Sequence, residues 1–552
     1  MTTTRSFLSI PAVLAGTALC LSAHAAPPAV DAGSLLRQNE QDLKAPKPAL
    51  KLQAAPHTPA PVPSADEATV QVRAFKFAGN TLLSSDALAQ AVAPYVDRAL
   101  SVAQLKEVAQ VITNVYREAG WSVRAFLPKQ EVDGGVVTLQ VVEAVFGGAS
   151  LAGTEPQRIE AQQLVNMAEA SLVKGTPLHA AQLDRTLLLL DDLPGVNVAG
   201  NLVQGEKDGE TNLALVATDE ALLTGNAFLD NQGARTTGAD RLSVNLNINS
   251  PARMGDAVGI NALKTQGIEY QRLSYSVPVG YDGWRAGLHT SNLRYQVIAP
   301  EFATLNPYGS ATTRGLDLSY PVLRSQLQNI NFAASYDDKN FDNTSNGAMT
   351  SYGIKVFNAS LSASLVDSWG GGGVTNASLA MTRGDKYTDT RFSKLNLSLS
   401  RLQSLSDTLS VYLAVSTQTT HGNLDSSEKM YLGGATGVRA YPASEAGGSE
   451  GSTLTLELRQ RIDNTLTLTG FYDYGRVWVN HDNAVASPAN PNDYNLQGYG
   501  VTLAWQAAQA VDLKATVAQR MGSNPNANTT TGMDADGTKK ITRLWLSSGV
   551  AF

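Results

Sequence analysis

The 552-residue chain holds one cysteine and six histidines, and past residue 25 it has no run of about 18 consecutive apolar residues. Each shortage excludes something. A helix needs about 20 apolar residues to cross a bilayer, so an ordinary helical membrane protein is excluded. Cys20 is the single cysteine, and beyond it the chain can form neither a disulfide nor a thiolate metal site. The histidines include no pair at helical ligand spacing, so no metal centre is expected. Basic excess is missing too. The net charge is −7, and no basic stripe interleaves with aromatics, which argues against nucleic acid as a partner. No P-loop is present, and no cofactor is expected.

Arg5 precedes an apolar run from Phe7 to Leu21, and Ala23-His24-Ala25 supplies the small-x-small pattern of signal peptidase sites. Residues 1–25 are therefore expected to be a signal peptide cleaved after Ala25. Leu19 is too bulky for the residue that precedes a lipoprotein cysteine. The mature chain then has no cysteine, which suits passage through an oxidising periplasm. If that chain spans a membrane, it must do so as a closed β-barrel.

Residues 26–68 form a leader with eight prolines between Pro27 and Pro63, a composition that favours extended chain. Within it, Ser34 is placed to cap a short helix through Leu43, with Leu35, Leu36 and Leu43 among Arg37, Glu40 and Asp42. On composition alone this segment reads as a frayed helix in a tail.

A pattern then appears twice, over residues 69–143 and 144–219. The first copy opens with alternating Val70 to Phe77 as a strand, and turns at Gly79-Asn80. A short helix follows from Ser85 and a longer one from Ser101, where Gln104 completes a capping box; Leu105, Val108, Ile112 and Val115 share its apolar face. Strands at Val123–Leu127 and Val136–Val142 close the unit. The second copy repeats the order, with helices near Arg158–Ala170 and Ala180–Asp191 and strands near Val196–Leu202 and Thr211–Ala217. Each unit is β-α-α-β-β, and its small sheet leaves open strand edges able to accept an extended peptide.

From residue 220 the chain alternates, as in Leu242, Val244, Leu246 and Ile248 separated by Ser243, Asn245 and Asn247. Apolar on one face and polar on the other is the pattern of a barrel with lipid outside and water inside. A soluble β-sandwich would show it too. The apolar N-terminal segment, roughly 330 residues without a second core, and a terminal aromatic strand ending at Phe552 favour the barrel. In that last strand Leu544, Leu546, Val550 and Phe552 would meet lipid, leaving Trp545 unexplained in the lumen.

Parity along the strand around Asp473 puts Leu466, Leu468, Tyr472, Tyr474 and Trp478 on one face, and Phe471, Asp473 and Gly475 on the other. The same count sends Glu457 and Arg459 inward. Arg439 sits in a Gly-rich connection, Gly433 to Gly451, too long for a tight hairpin. Folded back into the lumen, it would bring a guanidinium to the Asp473 carboxylate.

With those residues in place, the chain after its leader resembles the outer-membrane transporters of two-partner secretion, the TpsB-type haemolysin and filamentous-haemagglutinin secretion and activation transporters (ShlB/FhaC/HecB-like). The resemblance covers nearly the whole chain. It rests on two POTRA-like units before a barrel, on Gly437-Val438-Arg439-Ala440-Tyr441, on Phe471-x-Asp473-x-Gly475, and on Leu229-Asp230-Asn231-Gln232-Gly233 leading to Thr237-Gly238. It implies a sixteen-stranded barrel whose sixth extracellular loop tucks inward, with Arg439 against Asp473 and with Val438, Tyr441, Phe471, Gly475 and Glu457 around them. It further implies that the helix of Leu35, Leu36, Arg37 and Asp42 plugs the pore, and that Phe552 is the C-terminal insertion signal read by the barrel assembly machinery. The family usually has glycine where this chain has Ala440.

The implied function is translocation of one large exoprotein, an adhesin or cytolysin, from POTRA-like units in the periplasm through a pore in the outer membrane. A barrel assembly factor of the same superfamily is the alternative, although such proteins commonly carry more periplasmic repeats. A passive porin would have no use for two such units. Gly447-Gly448-Ser449-Glu450-Gly451 matches the G-x-S-x-G pattern of serine hydrolases, but it precedes a strand, where that elbow needs a helix. No enzyme is expected.

Overall fold

A computed structural model describes residues 30–43, 69–207, 209–386, 390–443, 445–483, 491–508, 510–528 and 530–552. The expected signal peptide and most of the proline-rich leader lie outside these residues.

Sixteen antiparallel strands close into a barrel, running from Leu223–Asp230 to Thr542–Ala551. The last strand pairs with the first over Ser547↔Asp230 to Ala551↔Asn226, and the Phe552 backbone exchanges hydrogen bonds with Gly225 at 2.8 and 3.0 Å. Alternation explains the closure. Along the strands, leucine, valine and aromatic residues alternate onto the outer wall across its middle, while many Ser, Thr and Asn side chains line the lumen.

Before the barrel stand two small units. In the first, Ala74–Ala78 runs parallel to Val136–Glu143, which also pairs with Val123–Phe126. The helix Val102–Glu118 begins at the full Ser101/Gln104 capping box and buries Leu105, Val108, Ala109, Ile112 and Tyr116 against this sheet. The opening run is not one strand from Val70 to Phe77. It breaks at Arg73, and Thr69–Val72 turns away to pair with Arg98–Ser101, a short strand that alternation did not reveal. Four residues are too few to show a period.

The second unit has helices Ala161–Ser171 and Ala180–Asp191 over a sheet of Val145–Leu151, Glu210–Asp219 and Val196–Gln204. It docks on the barrel turns at the end where the barrel chain starts. Arg324 donates two 2.8 Å bonds to Asp192, Arg185 reaches the Pro321 carbonyl at 2.8 Å, and Glu160 N–H meets Arg253 O at 3.1 Å. That end is the one expected to face the periplasm, and the connection between Leu409–His421 and Glu450–Arg461 is the sixth loop at the other end.

Glu143 fastens the first unit internally. Half-buried, it accepts 2.8 Å bonds from the N–H groups of Thr81 and Leu82, a 2.9 Å bond from Tyr116 OH, and one from Thr81 Oγ1. Burial works to raise its pKa, yet these donors together hold the carboxyl below the ordinary glutamate range. A lowered folded value means the stabilisation is complete at neutral pH and is lost as pH falls through that value. Glu143→Gln should therefore speed hydrogen exchange across residues 69–143 at pH 7 by a factor matching about 1–2 kcal/mol, with the variant and parent converging as pH falls below the ordinary glutamate range.

Candidate functional site

The lumen is occupied from two directions. The leader helix, α1 (Ala32–Leu43), lies inside the barrel, where Ala32, Leu35 and Leu36 are at most 2% exposed. They pack against inward side chains of several strands, among them Leu263, Tyr270, Leu293, Phe341, Ile354 and Val356. That apolar lining of a mostly polar tube is what receives the helix. The start differs from the expectation: α1 begins at Ala32, and the cap is Asp31, not Ser34. Asp31 Oδ1 accepts from Ser34 N–H at 2.7 Å, and the Ser34 hydroxyl reaches back to the Asp31 backbone. An aspartate followed three residues later by serine makes the same reciprocal cap as a capping box. Arg37 Nε donates to Lys429 O at 3.4 Å. The Asp42 side chain lies outside the described set.

The sixth loop, residues 422–449, folds back into the barrel and touches the helix. Ser426 Oγ donates to Asp31 Oδ1 at 2.9 Å, and Gly33 leaves room for no side chain beside Ser426. Loop and helix form one plug. A lysine pair clasps the loop: Glu428, 3% exposed, meets Lys339 Nζ at 3.0 Å and Lys394 Nζ at 2.7 Å, and Lys394 also bonds the Glu428 carbonyl at 2.8 Å.

Across the lumen the loop tip is held by Arg439. Its Nε and Nη2 donate to the two Asp473 oxygens at 2.8 Å each, its backbone N–H reaches Asp473 Oδ2 at 3.1 Å, and Nη1 meets Glu457 Oε1 at 2.8 Å. The guanidinium carbon lies 3.5 Å from the centre of the Phe471 ring. Thr455 donates to Asp473 and Arg459 to Glu457, so both carboxylates are fully partnered. Such a bidentate, stacked arrangement suits arginine and no other cation.

Around it Leu432, Val438, Ala440, Tyr441, Phe471, Tyr494 and Leu496 form an apolar cluster between loop and wall. Gly475 lets the loop approach: a Cβ there would stand 3.0 Å from both Leu432 and Val438. Trp545, unexplained by sequence, has a partner here, donating its ring N–H to Arg439 O at 2.7 Å. Ala440 is not among the described residues with positive φ, so its backbone needs no glycine. Its methyl faces Gly498, where a Cβ would lie 2.4 Å away. At this contact Gly498 is the residue that makes room. Gly498→Val should overpack this contact by about 1–3 kcal/mol and make the loop more protease-sensitive, and adding Ala440→Gly should recover part of the loss.

Parity located the inward acid and its neighbours, and it also sends Lys339 and Lys394 inward, although nothing marked them as partners. Glu428 had no such signal, since it sits in a loop without a period. The Asp230 of the Leu229–Gly233 segment pairs with Arg241 at 2.8 Å next to the closing seam. Phe552, 57% exposed, is on the outer wall at the periplasmic end. Ser449 precedes a strand, its hydroxyl bonded between Leu424 N–H and Val479 O, without the strand-to-helix elbow of a hydrolase.

A closed barrel with a polar lumen that holds a helix and an inward-folded loop, preceded by two small units with open strand edges, is the build of an outer-membrane protein transporter. Comparison with known proteins agrees. The haemolysin secretion/activation protein ShlB/FhaC/HecB family matches residues 209–503, and the ShlB-type POTRA domain matches residues 70–144. The heme/hemopexin transporter protein HuxB of Haemophilus influenzae is 25% identical over 81% of this chain and 82% of its own. The hemolysin transporter protein HpmB of Proteus mirabilis is 25% identical over 82% of each. Among solved structures, CdiB from Escherichia coli shares the fold with a TM-score of 0.69 at 19% identity, over 96% of this chain and 100% of that one. The chain belongs to the ShlB/FhaC/HecB family. It is an outer-membrane transporter of two-partner secretion, with its POTRA units in the periplasm.

Proposed function

We propose that the transporter exports a single large exoprotein, an adhesin or cytolysin in class, through the lumen now filled by α1 and the sixth loop. The observation that carries this reading is the joint plug. Behind it the lumen holds a cavity of about 1900 Å³, lined largely by Ser, Thr and Asn side chains. An unfolded chain entering from the periplasm meets open edges first: Val123–Phe126 in the first unit and Val196–Gln204 in the second each pair on one side only. Leu202 and Val203 on the latter edge are more than 40% exposed. Main-chain pairing there would hold an extended segment without regard to most of its side chains.

Entry then requires α1 to leave and the loop to shift, opening a polar path. Folding of the exoprotein outside draws the chain outward, with no nucleotide involved and no covalent chemistry. In this reading Arg439, Asp473 and Glu457 lock the loop, α1 gates the pore, Phe552 directs insertion by the barrel assembly machinery, and residues 1–25 are removed on export. Quantitative mass spectrometry of the supernatant and outer membrane from a deletion strain tests it. Loss of one large secreted protein with the outer membrane unchanged is expected. A broad loss of barrel proteins would instead indicate an assembly factor.

A further inference from the structure

Outside the barrel, the charges are not evenly spread. On the outer wall, the register sets Arg314, Asp338, Lys355, Asp385 and Arg391 side by side in one row across five neighbouring strands, and Arg383 lies in the next row beside them. Their direction follows from their neighbours. Thr313, Lys339, Ile354, Val356, Thr382 and Lys394 are buried on the lumen side, so the alternate residues face out. Arg314, Lys355, Arg383 and Arg391 are exposed.

The height of this row is fixed by the apolar surface beneath it. One residue pair closer to the periplasm the same face carries Leu316, Tyr336 and Phe357, 62, 45 and 49% exposed, and the apolar wall continues through Leu318, Met381 and Leu395 down to Val322 and Leu399. From Leu316 to Val322 is roughly 20 Å of strand, close to the apolar band of such barrels, about 25 Å tall. The POTRA units dock at the opposite end, on Arg324 and Pro321. The row therefore sits where hydrocarbon gives way to the headgroups of the outer leaflet.

The far wall differs. Among the described residues of Leu409–His421, of the five later strands and of the first two, one lysine or arginine faces outward, Arg476, tied to Asp493 at 2.9 Å, and on the next three strands Lys264 and Arg294 flank Glu269 in one row. On the near wall four bases face two acids within adjacent rows. Strands stand about 4.8 Å apart, so the bases span roughly 20 Å, enough for more than one anionic group. The Arg391–Asp385 pair, 3.1 Å apart with side chains 87 and 65% exposed, is water-facing and weak, which leaves the other guanidinium donors for a ligand.

We propose that this ridge is a binding site for the phosphorylated sugar headgroup of an outer-leaflet glycolipid of the lipid A class. Arg314, Lys355, Arg383 and Arg391 bind the phosphates, the arginines by paired N–H donors and the lysine as a point charge. Asp338 and Asp385 accept sugar hydroxyls between them. The acyl chains lie down the apolar wall over Leu316, Tyr336 and Phe357. The assignment rests on the outer-membrane location given above, which fixes what surrounds this wall.

The test uses the full chain, purified in detergent, and native mass spectrometry with bisphosphorylated lipid A, with the same lipid lacking both phosphates, and with inorganic phosphate as competitor. The parent is expected to bind lipid A at least tenfold more tightly than the dephosphorylated lipid. R314Q/K355Q/R383Q/R391Q should lose that preference, and inorganic phosphate should not displace the lipid. All four side chains are exposed, and heat-modifiable migration checks that the barrel is folded; if the quadruple variant fails this, R314Q/R391Q is used in its place. Equal binding of lipid A by parent and variant would overturn the proposal. So would equal binding of the two lipids, displacement by inorganic phosphate, or an equal loss in Arg476→Gln on the far wall.

Discussion

Replacing Arg439 by alanine is expected to lower export at least tenfold while leaving a folded, heat-modifiable barrel. The guanidinium answers two buried carboxylates at once, Asp473 at 1% and Glu457 at 9% exposure. Removing it strands both. The cost of breaking such a pair is about 3–5 kcal/mol where the remaining charge stays buried. The barrel does not need to bear it, because the loop can swing out and let water reach Asp473 and Glu457. The loss therefore appears as a displaced loop, not an unfolded protein. Arg439→Lys should fall between parent and alanine, since one ammonium cannot meet both Asp473 oxygens and Glu457 in the same geometry. Export assayed alongside protease sensitivity of residues 422–449 checks both statements. Parent-level export from a folded Arg439→Ala variant would remove the lock from the mechanism.

The second large effect concerns α1. Deleting residues 32–43 should raise single-channel conductance severalfold in planar bilayers, because α1 fills the lumen between the apolar lining and the sixth loop. Its hold is divided: Leu35 and Leu36 are buried against the wall, and its polar ties to the loop include Asp31 with Ser426 and Arg37 with Lys429. A helix of 12 residues has little stability of its own in water, so leaving the barrel should also unwind it. Unchanged conductance after the deletion would mean the sixth loop alone closes the pore.

Much of this was legible before the structure because it depends on short periods. Alternation gave the barrel and the inward direction of Phe471, Asp473, Gly475 and Glu457. Helical spacing and a capping box gave the helix from Ser101 to Glu118. Other features have no period to read. The break at Arg73 splits what looks like one strand, because its two halves bond to different partners, Arg98–Ser101 and Val136–Gln140. Glu428 lies in a loop, and its clasp by Lys339 and Lys394 joins residues about 90 and 30 positions away, a distance no local pattern spans. Trp545 looked misplaced on the lumen side until the loop tip supplied the Arg439 carbonyl as acceptor. Ser34 was the expected cap, and Asp31 takes that place because its carboxylate reaches the Ser34 N–H three residues on.

Export through this lumen requires α1 and the sixth loop to part company. A Cβ on Gly33 would stand 2.6 Å from Ser426 Oγ, close enough for the pair Gly33→Cys and Ser426→Cys to form a disulfide, and beyond Cys20 the chain has no native cysteine to compete. Export of the exoprotein is measured from cells carrying this variant, oxidised and then reduced, with each single-cysteine variant alongside. Oxidation is expected to stop export and reductant to restore it, while each single variant exports to the same extent oxidised and reduced. Parent-level export with the disulfide intact would contradict it.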